Sequence, residues 1–196
     1  GGKKSQFIVV ESPKARQLLG MRLAGRAPFN PNLQQGNGWR VLELTAQEAS
    51  ALRASGVGVY PNKRISVGPP PKPTTNIKAP RTSLYRDVHG ASELQKEAGW
   101  DGTGVTLTII DTGIGVHDSL MTPAKFDDVK TESPTDPQSD GHGHGTHCSG
   151  SSSARGELAA GGIRGMAPGA TLQGVKVLDD RGSGSWADVM KGVEGA

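Results

Sequence analysis

The 196 residues carry a net charge of only +3, a single Cys and no apolar run near the ~20 residues of a membrane span. One Cys excludes an internal disulfide framework, and the 29 Gly, about twice the usual share of roughly 7%, follow no fibrous period. The length suits one large domain or two small ones. Charge is uneven: residues 1–70 hold 10 Lys/Arg against 3 Asp/Glu, a net of +7, and residues 71–196 hold 12 against 16, a net of −4. Such halves can attract one another within a chain. The basic residues are scattered and lack interleaved aromatics, so no nucleic-acid partner is expected, and no membrane partner either. The start, Gly-Gly-Lys-Lys, has neither Met nor a signal-peptide core, so a processed or engineered terminus is expected.

Phe7–Glu11 is a short β-branched run that reads as a strand. Lys14–Leu23 places Leu18, Leu19 and Leu23 on one side of a helix. Trp39–Leu44 predicts a second strand. Thr45-Ala46-Gln47-Glu48 matches a capping box that opens a helix running to about Ser55, with Gly56 as its stop. Val57–Val67 is again strand-like. The order β-α-β-β-α-β, with one further strand between, gives a small α+β ferredoxin-like module over residues 1–68. About 65 residues bury only a small core, so the module is expected to need a partner surface.

Pro69, Pro70, Pro71 and Pro73 favour extended geometry and forbid helix, which makes residues 69–90 a linker. Beyond it, Ala91–Ala98 predicts a helix, Trp100–Gly104 a turn and Val105–Asp111 a strand. A Gly/Asp/His-rich loop, a helix from near Gly145, a strand at Thr171–Leu178 and a helix from Trp186 follow. This alternation predicts an α/β domain with a parallel sheet over residues 91–196. Functional groups then gather at the carboxyl ends of strands, where Asp111 sits.

An Asp that ends a strand before a Gly turn can be a turn residue or a buried carboxylate that orients an imidazole. Asp140–Gly150 holds His142, His144 and His147. Taken alone, these histidines allow three readings: a catalytic base, a metal site, or structural residues. Gly on both sides of His144 allows a tight turn and close approach of a substrate. No His-Glu-x-x-His or other familiar zinc spacing is present.

Ile109–Asp118 (IIDTGIGVHD), His142–Gly150 (HGHGTHCSG) and Gly165–Trp186 together resemble the front half of a subtilisin-like serine protease, nearest the proteinase K branch. The resemblance covers roughly Ala91–Ala196. Residues 1–68 are similar, more loosely, to the propeptides of that family. The resemblance implies acyl transfer through an Asp-His-Ser triad, with Asp111 as the Asp and His144 as the general base. His147 becomes structural. Cys148 would lie beneath the imidazole, open to mercury-type reagents and not itself the nucleophile. Gly182, Ser183 and Gly184 would pair with an extended substrate backbone, while Leu178 and Trp186 would border the pocket for the fourth residue upstream of the cut. Plain helix packing is the other reading of Trp186.

The family's Ser and its oxyanion Asn are not found. Ser149, Ser151, Ser152 and Ser153 follow the His motif, Ser183 and Ser185 lie in the substrate-strand loop, and none sits in a G-x-S-x-G elbow. The chain is therefore expected to be inactive alone and to need the remainder of the catalytic domain. Its partners would be peptide or protein substrates and its own propeptide, docked on the catalytic domain. Processing is expected between Val67 and Tyr85, and secretion is implied by the resemblance. No cofactor is assigned. Calcium stays open, with Asp118, Asp127, Asp128, Asp136 and Asp140 as oxygen donors in no recognisable ligand spacing. Two other functions stay open as well: a non-catalytic propeptide-type inhibitor, and a metal-binding module built on His142, His144 and His147.

Overall fold

The computed structural model describes residues 2–23, 33–70, 72, 84–130, 139–156 and 164–196. Pro71, Pro73, Asp136, most of the expected processing interval and part of the loop after the His motif lie outside the described residues. The chain divides into two compact units, Gly1–Ile65 with Gly184–Glu194, and Ser66–Ser183 with Gly195–Ala196.

The first unit runs β1 (Lys4–Val10), α1 (Pro13–Leu23), β2 (Gln35–Gly36), β3 (Trp39–Thr45), α2 (Ala46–Ala54), β4 (Val59–Pro61) and β5 (Arg64–Ser66). Strands β1 to β4 form an antiparallel sheet in the order β2-β3-β1-β4. Alternation along the strands gives this sheet two apolar faces. Phe7, Val9, Leu42 and Leu44 point to one face and pack with Ala15, Leu18 and Leu19 of α1 and Ala49 and Leu52 of α2. Ile8, Trp39 and Val41 point to the other and pack with Ala187 and Met190 of the C-terminal helix. The predicted capping box is present: Glu48 N–H donates to Thr45 Oγ1 at 3.2 Å, and Thr45 N–H donates to Glu48 Oε2 at 2.8 Å. The single strand expected at Val57–Val67 is two short ones. Between them Lys63 N–H turns back to Pro61 C=O, and Pro61 has no N–H to continue a ladder.

The second unit holds α3 (Leu84–Val88), α4 (Ala91–Ala98), β6 (Thr106–Asp111), β7 (Lys125–Asp128), α5 (His144–Ser153) and β8 (Thr171–Lys176), followed by β9 (Ser183–Ser185) and α6 (Trp186–Gly195) across the boundary between units. Strands β6 and β7 both pair in parallel with β8, in the order β6-β8-β7. The central strand is the buried one: Leu172 and Val175 are almost inaccessible, as is Val177 just beyond it. Gln173 and Lys176 of the same strand are buried with them, so it is not a continuous apolar run. A separate two-stranded sheet pairs β5 with β9.

Candidate functional site

The carboxyl end of β6 delivers Asp111, and the first turn of α5 delivers His144. His144 Nδ1 lies 2.8 Å from Asp111 Oδ1 and 2.9 Å from Oδ2. Both side chains are mostly shielded, with 29% of the imidazole and 13% of the carboxylate accessible. Thr112 N–H also donates to Asp111 Oδ1, at 2.6 Å.

This pairing depends on a close approach of two backbones. Gly113 has φ +118, and a Cβ there would meet the Ser139 carbonyl at 1.9 Å. A Cβ on Gly145 would meet the Gly113 carbonyl at 2.1 Å. Only glycine fits at either position, which accounts for Asp-Thr-Gly and His-Gly-Thr as local patterns.

Asp140 organises the loop between them. Its Oδ1 accepts from Thr112 Oγ1 at 2.8 Å, Gly143 N at 2.8 Å and His142 N at 3.2 Å. Its Oδ2 accepts from Thr146 N at 2.8 Å and Thr146 Oγ1 at 2.6 Å. Burial works to raise its pKa, but these donors, led by the Thr146 hydroxyl, outweigh it and hold the carboxyl below its usual range. Thr112 Oγ1 in turn accepts from Gly145 N at 2.9 Å. One carboxylate and one buried hydroxyl therefore join the end of β6 to the start of α5. Sequence reasoning offered Asp140 only as a calcium donor.

Lys176, at the end of β8, is buried, and its ammonium donates to the Thr112 carbonyl and to Asp180 Oδ1, the latter at 2.9 Å. The lysine holds the Asp180 carboxyl below its ordinary value.

Helix α5 is unusually polar, yet Ser149 and Ser153 are buried. Their hydroxyls, and that of Ser152, bond back to carbonyls four residues earlier, at 2.8, 3.1 and 2.8 Å. Cys148 Sγ sits 3.7 Å from His144 Nδ1, on the same helix face. Burial, and then the Asp111 charge, push its thiol up. His147 is exposed.

Asp179, Gly182 and Ser183 close a tight turn: Gly182 N donates to Asp179 O at 2.8 Å, Asp179 N to Ser183 O at 2.8 Å, and Ser183 N to Asp179 Oδ1 at 2.9 Å. Gly182 C=O accepts from Val67 N at 2.9 Å. Ser183 and Gly184 belong to β9, so the expected edge loop contains a short strand. A Cβ on Gly182 would lie 2.7 Å from His142 Nε2, and one on Gly143 would lie 3.4 Å from Pro70 Cγ. Leu178 is buried, with its N–H on the Asp111 carbonyl at 3.1 Å. Trp186 opens α6 with 49% of its surface exposed.

Among the described residues, one group of three ligand atoms lies within 4.8 Å of one another: Asp111, His144 and Cys148. The trio His142, His144 and His147 forms no such group. Asp118, Asp127, Asp128 and Asp140 form none either.

Residues 102–196 match the family model described as the subtilase family. This segment is similar to the subtilases. Serine protease AprX of Bacillus subtilis (strain 168) is 46% identical over 119 residues, which is 60% of this chain and 26% of that protein. Thermitase of Thermoactinomyces vulgaris is 38% identical over 111 residues, covering 54% of this chain and 38% of its own length. Subtilisin Savinase of Lederbergia lenta is 39% identical over 111 residues, 55% of this chain and 39% of that protein. The chain thus spans well under half of the subtilases it matches. No helix among the described residues is long and apolar enough to cross a membrane.

Proposed function

We propose that this chain carries the Asp and His of a subtilase-type serine endopeptidase, together with its propeptide. The observation that carries this reading is the Asp111–His144 pair, with Nδ1 within 2.9 Å of both carboxylate oxygens. Asp111 fixes the tautomer with the proton on Nδ1 and stabilises the imidazolium that forms in the reaction. Nε2 is then the base nitrogen for a serine hydroxyl attacking a peptide carbonyl. The serine and the oxyanion donor come, in this reading, from subtilase sequence outside these 196 residues. The short shares of AprX, thermitase and Savinase that the chain covers support that.

Residues 1–68 are the ferredoxin-like propeptide, 69–90 the linker and 91–196 the front of the catalytic domain of an exported precursor. Support for the first comes from the order β1-α1-β2-β3-α2-β4 and the sheet order β2-β3-β1-β4. The end of the propeptide fills the substrate groove. The Val67–Gly182 hydrogen bond, the β5–β9 pairing and Pro70 beside Gly143 support this. A peptide or protein substrate would take the same path along Gly182–Gly184, with Leu178 and Trp186 beside it.

The test compares the 196-residue chain with the same chain continued by a subtilase segment bearing the Ser motif. The continued protein hydrolyses a chromogenic peptide and takes a fluorophosphonate label. Asp111→Asn lowers its kcat on the order of 10⁴-fold, with His144→Ala at least as damaging. Labelling or hydrolysis by the short chain alone, or full activity in either variant, overturns the reading.

A further inference from the structure

We infer that Gly68-Pro69-Pro70 is a plug that the Asp111–His144 pair does not cut, so the front module is not excised at the bonds it lays beside that pair. The inference rests on the acyl-transfer role proposed for the pair. Two contacts bracket the segment. Upstream, Val67 N donates to the Gly182 carbonyl at 2.9 Å. His142 flanks this contact: a Cβ on Gly182 would lie 2.7 Å from His142 Nε2 and 2.9 Å from the Val67 carbonyl oxygen. Downstream, the Pro70 ring lies against Gly143, where a Cβ would come within 3.4 Å of Pro70 Cγ. Gly143 is the cap of α5, immediately before His144. The links joining the two contacts are Val67–Gly68, Gly68–Pro69 and Pro69–Pro70. The first starts from the residue anchored on Gly182. The two nearer Gly143 both end in a proline nitrogen.

Attack on the Gly68 or Pro69 carbonyl forms a bond from the serine oxygen to that carbon and passes the serine proton to His144 Nε2. The C–N bond breaks only if Nε2 then gives the proton to the leaving nitrogen. In an ordinary link that nitrogen carries one hydrogen and can turn its lone pair toward the imidazole. In these two links it is held in a ring, with Cδ in the hydrogen's place and φ fixed. The ring carbon crowds the imidazole and holds the lone pair away from it. The intermediate collapses the other way: the serine oxygen leaves, takes its proton back from Nε2, and the peptide link is restored. Nothing is consumed and the segment stays in place. The next link, Pro70–Pro71, has the same chemistry, so the first one downstream without a proline nitrogen is Pro71–Lys72. Maturation therefore cuts after Pro71, and a second molecule makes the cut, because the segment occupies the groove of the first.

The test uses the chain continued by the Ser-bearing subtilase segment, and the same protein carrying Pro69→Ala with Pro70→Ala. New N-termini are read by mass mapping and activity on a chromogenic peptide. The parent should show termini only beyond Pro71. The variant should gain a terminus at position 69 or 70, cut about 100-fold or more faster than in the parent, the low end of what a positioned proton donor contributes. A parent terminus at Gly68, Pro69 or Pro70 overturns the inference. So does a variant that hydrolyses the chromogenic peptide yet gains no such terminus. If neither protein hydrolyses that peptide, the acyl-transfer reading of this chain fails, and synthetic peptides of residues 62–74, with the two prolines or with Ala in their place, are given to purified subtilisin Savinase. Cleavage of the 68–69 or 69–70 link in the Ala peptide alone upholds the proline block, and equal cleavage in both peptides overturns it.

Discussion

Thr112 Oγ1 donates a 2.8 Å hydrogen bond to Asp140 Oδ1, and through it the strand that ends on Asp111 is tied to the loop that leads into His144. A residue 28 positions away in the chain thus sets how far apart the pair can drift. The distance between Asp111 and His144 is fixed by a second carboxylate that bonds to neither side chain.

Asp140→Asn is expected to lower stability by about 2–3 kcal/mol, because one acceptor oxygen is replaced by a donor facing existing N–H groups. The pH dependence follows from the depressed folded-state value of Asp140. Its contribution is present above the unfolded value near 3.8 and is lost as pH falls through the folded one. Thermal melts from pH 7 down to pH 3 should therefore show a steeper acid decline in the parent chain than in the variant. Equal slopes would exclude this role.

Gly113→Ala and Gly150→Ala should move stability in opposite directions. At Gly113 the new methyl meets a carbonyl oxygen with φ at +118, and a loss of more than about 3 kcal/mol is expected. At Gly150, inside α5, nothing lies within 4 Å, and relief of backbone entropy gives a gain of roughly 0.5–1 kcal/mol. Urea midpoints of the two variants check the pair.

Thr45→Ala removes one half of the capping box that starts α2 and should cost about 1 kcal/mol. Thr45→Ser retains the acceptor and should lie within a few tenths of the parent. Denaturant titration monitored by far-ultraviolet circular dichroism resolves the difference.

Glu194, near the end of α6, accepts from Trp39 Nε1 at 2.7 Å and from Asn37 N at 2.6 Å. The Trp39 bond first, then the backbone one, hold its carboxyl below the ordinary value. The contact is present above the unfolded carboxyl value and is lost as pH falls through the folded one. In a chain carrying Trp100→Phe and Trp186→Phe, Trp39 fluorescence should change on that acid limb, and Glu194→Gln should abolish the change. A pH response that persists in the Gln variant would assign it elsewhere.

Strands β3, β6 and β8 were legible because each is a run rich in β-branched or large apolar residues, and the capping box of α2 was legible because it is a local pattern. Strand β7, Lys-Phe-Asp-Asp, has one apolar residue. It exists because the edge of β8 is there to pair with, which no local reading contains. Asp111 and His144 were singled out through the resemblance of the motifs that hold them, while the glycines around them alone left the histidines open to three readings. Asp140 was not singled out. A carboxylate in a Gly-rich loop reads as a turn or a metal donor until the fold shows five donors converging on it. Likewise, nothing in Lys176 itself tells that it is buried. That follows from its place at the end of a central strand, beside the Thr112 carbonyl.

Lys176 has a practical consequence. The residue is 5% exposed and its ammonium is bound at the sheet's end, while most described lysines stand in solvent. Amine-reactive reagents should therefore modify it last, and only when β8 separates from its neighbours. The rate at which this one lysine takes a label, read by peptide mass mapping, would time the opening of the parallel sheet without any substitution in the chain.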